Sequence, residues 1–328
     1  MVTFRLATDI DAVISAAERI RPRAVHTPLI ENPALNERAG RRVLMKAENL
    51  QRGGSFKFRG AYNRLARLSE AESAAGVVAW SSGNHAQGVA AAARLLGVKA
   101  SIVMPFDAPA IKRERTLALG AEIISYDRYK EDREEIGRGL ASERGAVLVP
   151  SYDDPDIIAG QGTVGLEIAQ DATKLDAELG AVLVCCGGGG LSAGIATALA
   201  VRAPGARVFT VEPEAFDDTA RSLLTGRRET NPADAHSMCD ALLSPTPGAL
   251  TFPILKAHDV RGLTVSEDEV RHAVRFAFEE LKVVLEPGGA VSLAAVLAGK
   301  APEGDAPVAV ILSGGNVDAA LFAEIIGG

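Results

Sequence analysis

From Val77 onward, short β-branched or apolar runs alternate with longer segments of helical periodicity, and this alternation confines the chain to a parallel α/β architecture. The predicted strands are Val77–Trp80, Ala100–Pro105, Ala121–Tyr126, Ala146–Pro150, Ala181–Cys186, Arg207–Glu212 and Val308–Leu312. Between them, Asn84–Leu96, Ala110–Leu119, Glu131–Arg144, Pro155–Asp171, Leu191–Ala203 and Asp268–Val284 can each bury one apolar stripe. The end of a predicted Asn63–Ala75 helix and the Asp153-Asp154-Pro155 turn mark two boundaries. They leave a small unit over residues 77–155 inserted in a larger one built from residues 1–76 and 156–328, with a ligand cleft between the two.

Charge and cysteine content narrow the class of partner. The net charge of -7 is spread along the chain with no basic block, which excludes a nucleic-acid surface. Three cysteines, two of them adjacent, cannot build a disulfide framework, which suits a reducing, cytoplasmic setting. Asp9, Asp11 and Glu18 interrupt the N-terminal region, and no apolar run reaches about 18 residues, so neither export nor membrane insertion is expected. The expected partner is a small molecule.

In open parallel sheets ligands bind beyond the C-terminal ends of the strands. Three segments qualify: Ser81-Ser82-Gly83-Asn84-His85, Gly187-Gly188-Gly189-Gly190-Leu191 and Ser313-Gly314-Gly315-Asn316. Four glycines ahead of a helix free backbone N–H groups to converge on an anion, above all a phosphate, although the same run would equally serve as a flexible turn. Their spacing and late position do not match the dinucleotide-binding pattern, which disfavours a nicotinamide enzyme. Lys57 sits between Phe56 and Phe58 behind Gly53-Gly54, a setting that would desolvate its amine and make it nucleophilic; most lysines are instead solvated surface charges. Asn84 suits an N-cap, yet Ser81, Ser82 and Gly83 before it gather donors that would also hold a carboxylate. His85 fits a packed histidine as well as a ligand, and Ser313 either satisfies the backbone or meets a ligand nitrogen.

Together these residues resemble the β-family, or fold-type II, of pyridoxal-phosphate enzymes, and within it the serine/threonine dehydratase and serine racemase group. The resemblance spans nearly the whole chain and rests on Glu48-Asn49-Leu50-Gln51, Ser55-Phe56-Lys57-Phe58-Arg59-Gly60-Ala61, Ser81 to Gly88, Ala159 to Thr163, Gly187 to Gly190, Glu286-Pro287 and Ser313 to Asn316. It implies a tryptophan synthase β-like fold of two open, mainly parallel sheets with flanking helices, and a homodimer. It further implies that Lys57 carries pyridoxal 5'-phosphate as a Schiff base, that Phe56 packs by the ring, and that Asn84 bonds its phenolic oxygen. Gly187, Gly188, Gly189, Gly190 and the Leu191 N–H would hold the phosphate, and Ser313 the pyridine nitrogen. Ser81, Ser82, Asn84 and His85 would bind a small hydroxy-amino acid.

The implied activity is an ammonia-lyase (dehydratase) converting L-threonine or L-serine to a 2-oxo acid and ammonia, with Lys57 removing the Cα proton. Ser82 lies where racemase members place a second acid/base, and Arg133 where a racemase arginine meets a second carboxylate. Serine racemisation and 3-hydroxyaspartate dehydration are the alternatives. Glu212, the Phe216 carbonyl and Asp218 resemble the divalent-cation loop of the racemase-like members, an oxygen set suited to Mg²⁺ or Ca²⁺; a solvated acidic turn is the plainer account. Trp80 and Gly53-Gly54 depart from the group's common residues at positions expected to flank the pocket. A non-catalytic amino-acid sensor on this scaffold would be expected to lack Lys57 or the glycine loop, and both are present.

Overall fold

Strands joined through helices return to the same end of a sheet and pair in parallel. The computed structural model, which describes residues 6–108 and 110–328, shows two such sheets. In chain order the strands are Leu29–Glu31 (β1), Val43–Lys46 (β2), Val77–Trp80 (β3), Ala100–Pro105 (β4), Glu122–Tyr126 (β5), Val147–Leu148 (β6), Ala181–Cys185 (β7), Arg207–Pro213 (β8), Arg261–Val265 (β9) and Val308–Ile311 (β10). Six form one sheet in the order β1-β2-β10-β7-β8-β9, and four form the other in the order β5-β4-β3-β6. All neighbours are parallel except β1 and β2. The smaller sheet comes wholly from residues 77–148, whereas both flanking stretches build the larger one. Residues 1–5, which the sequence reading assigns to the larger unit, lie outside the described residues.

Three strands and several helices differ from the sequence reading. β1, β2 and β9 are missing from it; the first two precede the alternating pattern, and β1 spans three residues. The predicted Asn63–Ala75 helix is two helices, Lys57–Leu65 and Glu70–Ala75, because Ser69 and Glu72 close a capping box that starts the second afresh. Pro287–Leu297 is a helix buried from Pro287 to Val296, so it carries no amphipathic stripe by which to recognise it.

Three helices position the site. The apolar face of Lys57–Leu65, with Phe58, Ala61 and Leu65, joins the core of the smaller sheet alongside Val77, Ala79 and Ile102. Its other side packs on Pro155–Lys174, which in turn packs on Gly190–Arg202. Glycines allow backbones to meet along this seam: a Cβ on Gly194 would lie 2.4 Å from the Ile158 carbonyl oxygen, and one on Gly160 2.7 Å from that of Arg59. The helix that begins at Lys57 and the helix that begins at the glycine loop are thereby held against opposite sides of one central helix.

Candidate active site

The C-terminal ends of β7 and β10, with the loop after β3, converge on a cavity of about 70 Å³ whose walls include Phe56, Lys57, Asn84, Tyr152, Gly187 to Gly190 and Ser313. A larger depression of about 410 Å³ between Arg38 and Arg275 lies on the surface, where charged side chains of both signs face solvent without converging. The smaller, enclosed space, lined by Lys57 and the glycine loop, is the candidate site.

Lys57 opens its helix with Phe56 as the preceding cap. Its Nζ lies 5.1 Å from the Phe56 ring centre and donates to the Ser151 carbonyl at 2.8 Å. Part of its surface faces the cavity, but the protein around it excludes bulk water, and this burial pulls the amine down to about 8 while the nearby Glu286 carboxylate opposes the shift. A lysine with that proton affinity is partly neutral at physiological pH.

The glycine loop has the features of an anion cradle. Gly189 adopts φ +89°, a left-handed turn that aims the chain into Gly190–Arg202. The N–H groups of Gly187, Gly188, Gly189, Gly190 and Leu191 donate to no atom of the described residues, while the Gly188 carbonyl is held from behind by the Gly248 N–H and the Thr251 hydroxyl. Unpartnered N–H groups at a helix N-terminus suit a phosphate. The Tyr152 ring lies so close over the loop that a Cβ on Gly188 would be 2.3 Å from it.

Asn84 is buried, accepts from Asn316 Nδ2 at 2.8 Å and donates to Glu286 Oε1 at 2.5 Å. Burial, reinforced by the Asp240 charge, pushes Glu286 up to about 7. Ser313 is buried on the cavity wall, its carbonyl accepts from the Phe56 N–H at 3.2 Å, and its side chain lies by the Cys185 thiol. Ser81 accepts from the Gly83 N–H at 3.1 Å, and the half-buried Ser82 hydroxyl has no partner among the described residues.

The structure does not bring Ser81, Ser82, His85, Arg133 or Trp80 onto the cavity wall. His85 is buried with Nε2 at 2.8 Å from the Val149 carbonyl and Nδ1 without a partner; burial and the Lys57 charge drop it to about 3, so the ring is neutral. Arg133 is exposed at the head of Arg133–Arg144, although its charge, like that of Glu134, is felt at the Tyr152 hydroxyl. Trp80 instead packs under that helix, where a Cβ on Gly137 would lie 2.6 Å from its ring.

At the end of β8, Glu212 is fully buried and accepts the N–H groups of Thr219 and Ala220 at 3.0 and 2.8 Å. Asp218 accepts from Asn231 Nδ2 at 2.6 Å through one oxygen, and its other oxygen is buried without a partner. Burial raises both carboxyls, Asp218 to about 7, and Asp218 pushes Glu212 up further. Among the described residues no group of three or more His, Cys, Asp or Glu side chains forms a cation site, so a third ligand here would have to be a carbonyl such as that of Phe216. No helix among the described residues is long and apolar enough to cross a membrane.

An amine with lowered proton affinity, a loop of unpartnered N–H groups suited to an anion and a serine line the same cavity, and they point to one class. The chain belongs to the family described as pyridoxal-phosphate dependent enzyme, whose model matches residues 20–314. It is 45% identical over 316 residues to an L-threo-3-hydroxyaspartate ammonia-lyase of Pseudomonas sp, covering 96% of this chain and 98% of that protein. It is 40% identical to a serine racemase of Schizosaccharomyces pombe, over 96% of both. The crystal structure of a T.th. threonine deaminase superposes with a TM-score of 0.90 at 44% identity, covering 94% of this chain and 99% of that one.

Ser151, Tyr152, Cys185 and Ser244 also line the cavity, and the sequence reading gave them no role. Ser151 and Tyr152 directly precede the Asp153-Asp154-Pro155 turn, the one local signal that could have drawn attention to them. Glu286 and Asn316 were part of quoted motifs, but their bonds to Asn84 span 202 and 232 residues and have no local signature.

Proposed function

We propose that the chain is an ammonia-lyase that removes the β-hydroxyl and amino groups of a small β-hydroxy-α-amino acid, L-threonine or L-serine, giving a 2-oxo acid and ammonia. The observation that carries this reading is a lysine of lowered proton affinity in one cavity with five unpartnered N–H groups. Pyridoxal phosphate, when bound, supplies an electron sink that acidifies the substrate's Cα–H bond. The N–H groups of Gly187 to Leu191 would hold its phosphate, Asn84 its phenolic oxygen, and the neutral Ser313 hydroxyl its ring nitrogen.

The protein's own part is proton handling and orientation. Lys57 takes the Cα proton on Nζ, which its surroundings keep partly neutral, and Phe56 shields that amine from water. The hydroxyls of Ser81 and Ser82 and the first N–H groups of the Asn84 helix receive the substrate carboxylate. His85, neutral and fixed by Val149, adds no competing charge beside Lys57. A neutral serine opposite the ring nitrogen, where other such enzymes use Asp or Arg, weakens the sink and favours rapid elimination over transamination.

A second reading takes 3-hydroxyaspartate as substrate. It is supported by the name of the Pseudomonas relative and by the Arg133 charge felt at the Tyr152 hydroxyl. Serine racemisation, the named activity of the S. pombe relative, requires Ser82 as a second acid. The reading includes a homodimer in a cytoplasmic setting.

Borohydride reduction followed by peptide mass analysis should place the cofactor on Lys57, and Lys57→Ala should abolish both adduct and turnover. An adduct on another lysine would overturn the assignment. Keto-acid assays on L-threonine, L-serine and threo-3-hydroxyaspartate, with chiral analysis of recovered serine, rank the alternatives.

The reading also places Mg²⁺ or Ca²⁺ between Glu212 and Asp218 with the Phe216 carbonyl. The unpartnered, buried Asp218 oxygen and the repulsion between the two carboxyls fit a cation there. A cation binding only the folded state raises the melting temperature, by the equivalent of about 2.7 kcal/mol at a hundredfold excess over Kd. Glu212→Gln should remove that response, and identical melting curves with chelator and with metal would count against the site.

A further inference from the structure

Two charged residues from the quoted motifs, Glu48 and Arg59, take no part in the cavity. Arg59 follows Lys57 by two positions, a rotation of about 200° on a helix, and its side chain is fully buried. Its Nε and Nη2 each donate at 2.8 Å to an oxygen of Glu48, while Nη1 and Nη2 donate to the two oxygens of Glu167 at 2.7 and 2.8 Å. Lys46, also fully buried, closes the far side with Nζ at 2.7 Å from Glu167.

Buried ion pairs contribute little net stability, because desolvation offsets most of their attraction, and apolar side chains of similar volume would often serve the fold as well. What a doubly forked guanidinium supplies is direction, since two bidentate pairs fix a plane and an angle. Here the plane joins the end of β2 and the lysine helix to Pro155–Lys174. That last helix bears Gln161 on the cavity wall and meets Gly194 of the glycine-loop helix backbone to backbone. The clamp thus connects Lys57 to the phosphate cradle through rigid elements.

We propose that Arg59 is a positioning residue: held between Glu48 and Glu167, it sets the angle of the lysine helix against the glycine loop and keeps Nζ at the Ser151 carbonyl inside the cavity. The inference rests on Lys57 being the cofactor lysine. Displacements of about 1 Å at a reacting group can cost roughly a hundredfold in rate, so a small rotation of this helix is enough to matter.

Arg59→Lys keeps the charge and loses both forks. In the cofactor-free protein, the Lys57 amine is followed by reductive methylation at a series of pH values, read on its peptide by mass spectrometry. Wild type should titrate near 8 and the folded variant closer to the ordinary lysine value of 10.5. Cofactor uptake, followed by absorbance, should slow roughly tenfold or more. Glu167→Gln, which spares Arg59, should shift both readouts less and in the same direction, and it decides the question if Arg59→Lys does not fold. A folded Arg59→Lys that melts earlier but labels and loads like wild type would reduce Arg59 to a structural clamp and overturn the proposal. So would an unchanged profile in Glu167→Gln when Arg59→Lys is unfolded. Failure of Lys57 to take the cofactor in wild type would refute the cofactor reading instead, and the methylation profile separates the two failures.

Discussion

Ser82 has a half-buried hydroxyl that bonds to nothing among the described residues, whereas its neighbour Ser81 is engaged by the Gly83 N–H. A free hydroxyl two residues ahead of Asn84, which lines the cavity, would be able to deliver a proton or hold a carboxylate. Elimination from an L-substrate needs one base, which Lys57 would provide under the proposed function, while inversion at Cα needs an acid on each face. Ser82→Ala should therefore keep most keto-acid formation from L-serine and lower both racemisation and D-serine dehydration by roughly a hundredfold. Comparing keto-acid and D-serine yields on both enantiomers checks this. Equal loss of every activity would assign Ser82 to the carboxylate or the fold. The residues legible from sequence were those packed into contiguous motifs, such as Lys57 with Phe56, or the glycine run. Tyr152 was not, because its place over Gly188 comes from two loops 36 residues apart meeting in space.

Among the elements, the Pro155–Lys174 helix bears the most on the proposed function, and glycines on both sides of its seam with Gly190–Arg202 are what let it do so. An added methyl on Gly194 would stand 2.4 Å from the Ile158 carbonyl and 2.5 Å from the Gly162 nitrogen, both backbone atoms that cannot swing aside. Gly194→Ala should cost about 1–3 kcal/mol by overpacking, measured as a lower urea midpoint, and should weaken cofactor retention by spreading the two flanking helices. The same substitution at Gly205, where a Cβ meets nothing within 4 Å, is the control. The strands from β3 to β6, with β7, β8 and β10, were readable because apolar runs and periodic helices alternate cleanly there. The Lys57–Leu65 helix was not, since its first residues read as a glycine-rich motif and its buried face carries Arg59 and Asn63 as well as apolar groups. Propensity and periodicity describe faces that meet water, and this helix shows almost none.

At the scale of the molecule, the smaller sheet is continuous in sequence and the larger one is not. β10 pairs with β2 on one side and with β7 on the other, so the larger sheet has an unfilled gap until residues 308–311 are in place. A chain cut after Pro307 should keep the core of the smaller sheet protected from proteolysis while losing cofactor binding, as limited digestion and absorbance would show. Synthesis runs from the N-terminus, and contiguous units settle first. The four strands between Val77 and Leu148 can pair while the ribosome is still far from Val308, but Lys57 and the glycine loop cannot be set against each other until β10 emerges and draws β2 to β7. Through most of translation the nascent chain therefore carries a nearly finished small lobe and an unassembled pocket, and cofactor capture must follow the arrival of this late strand.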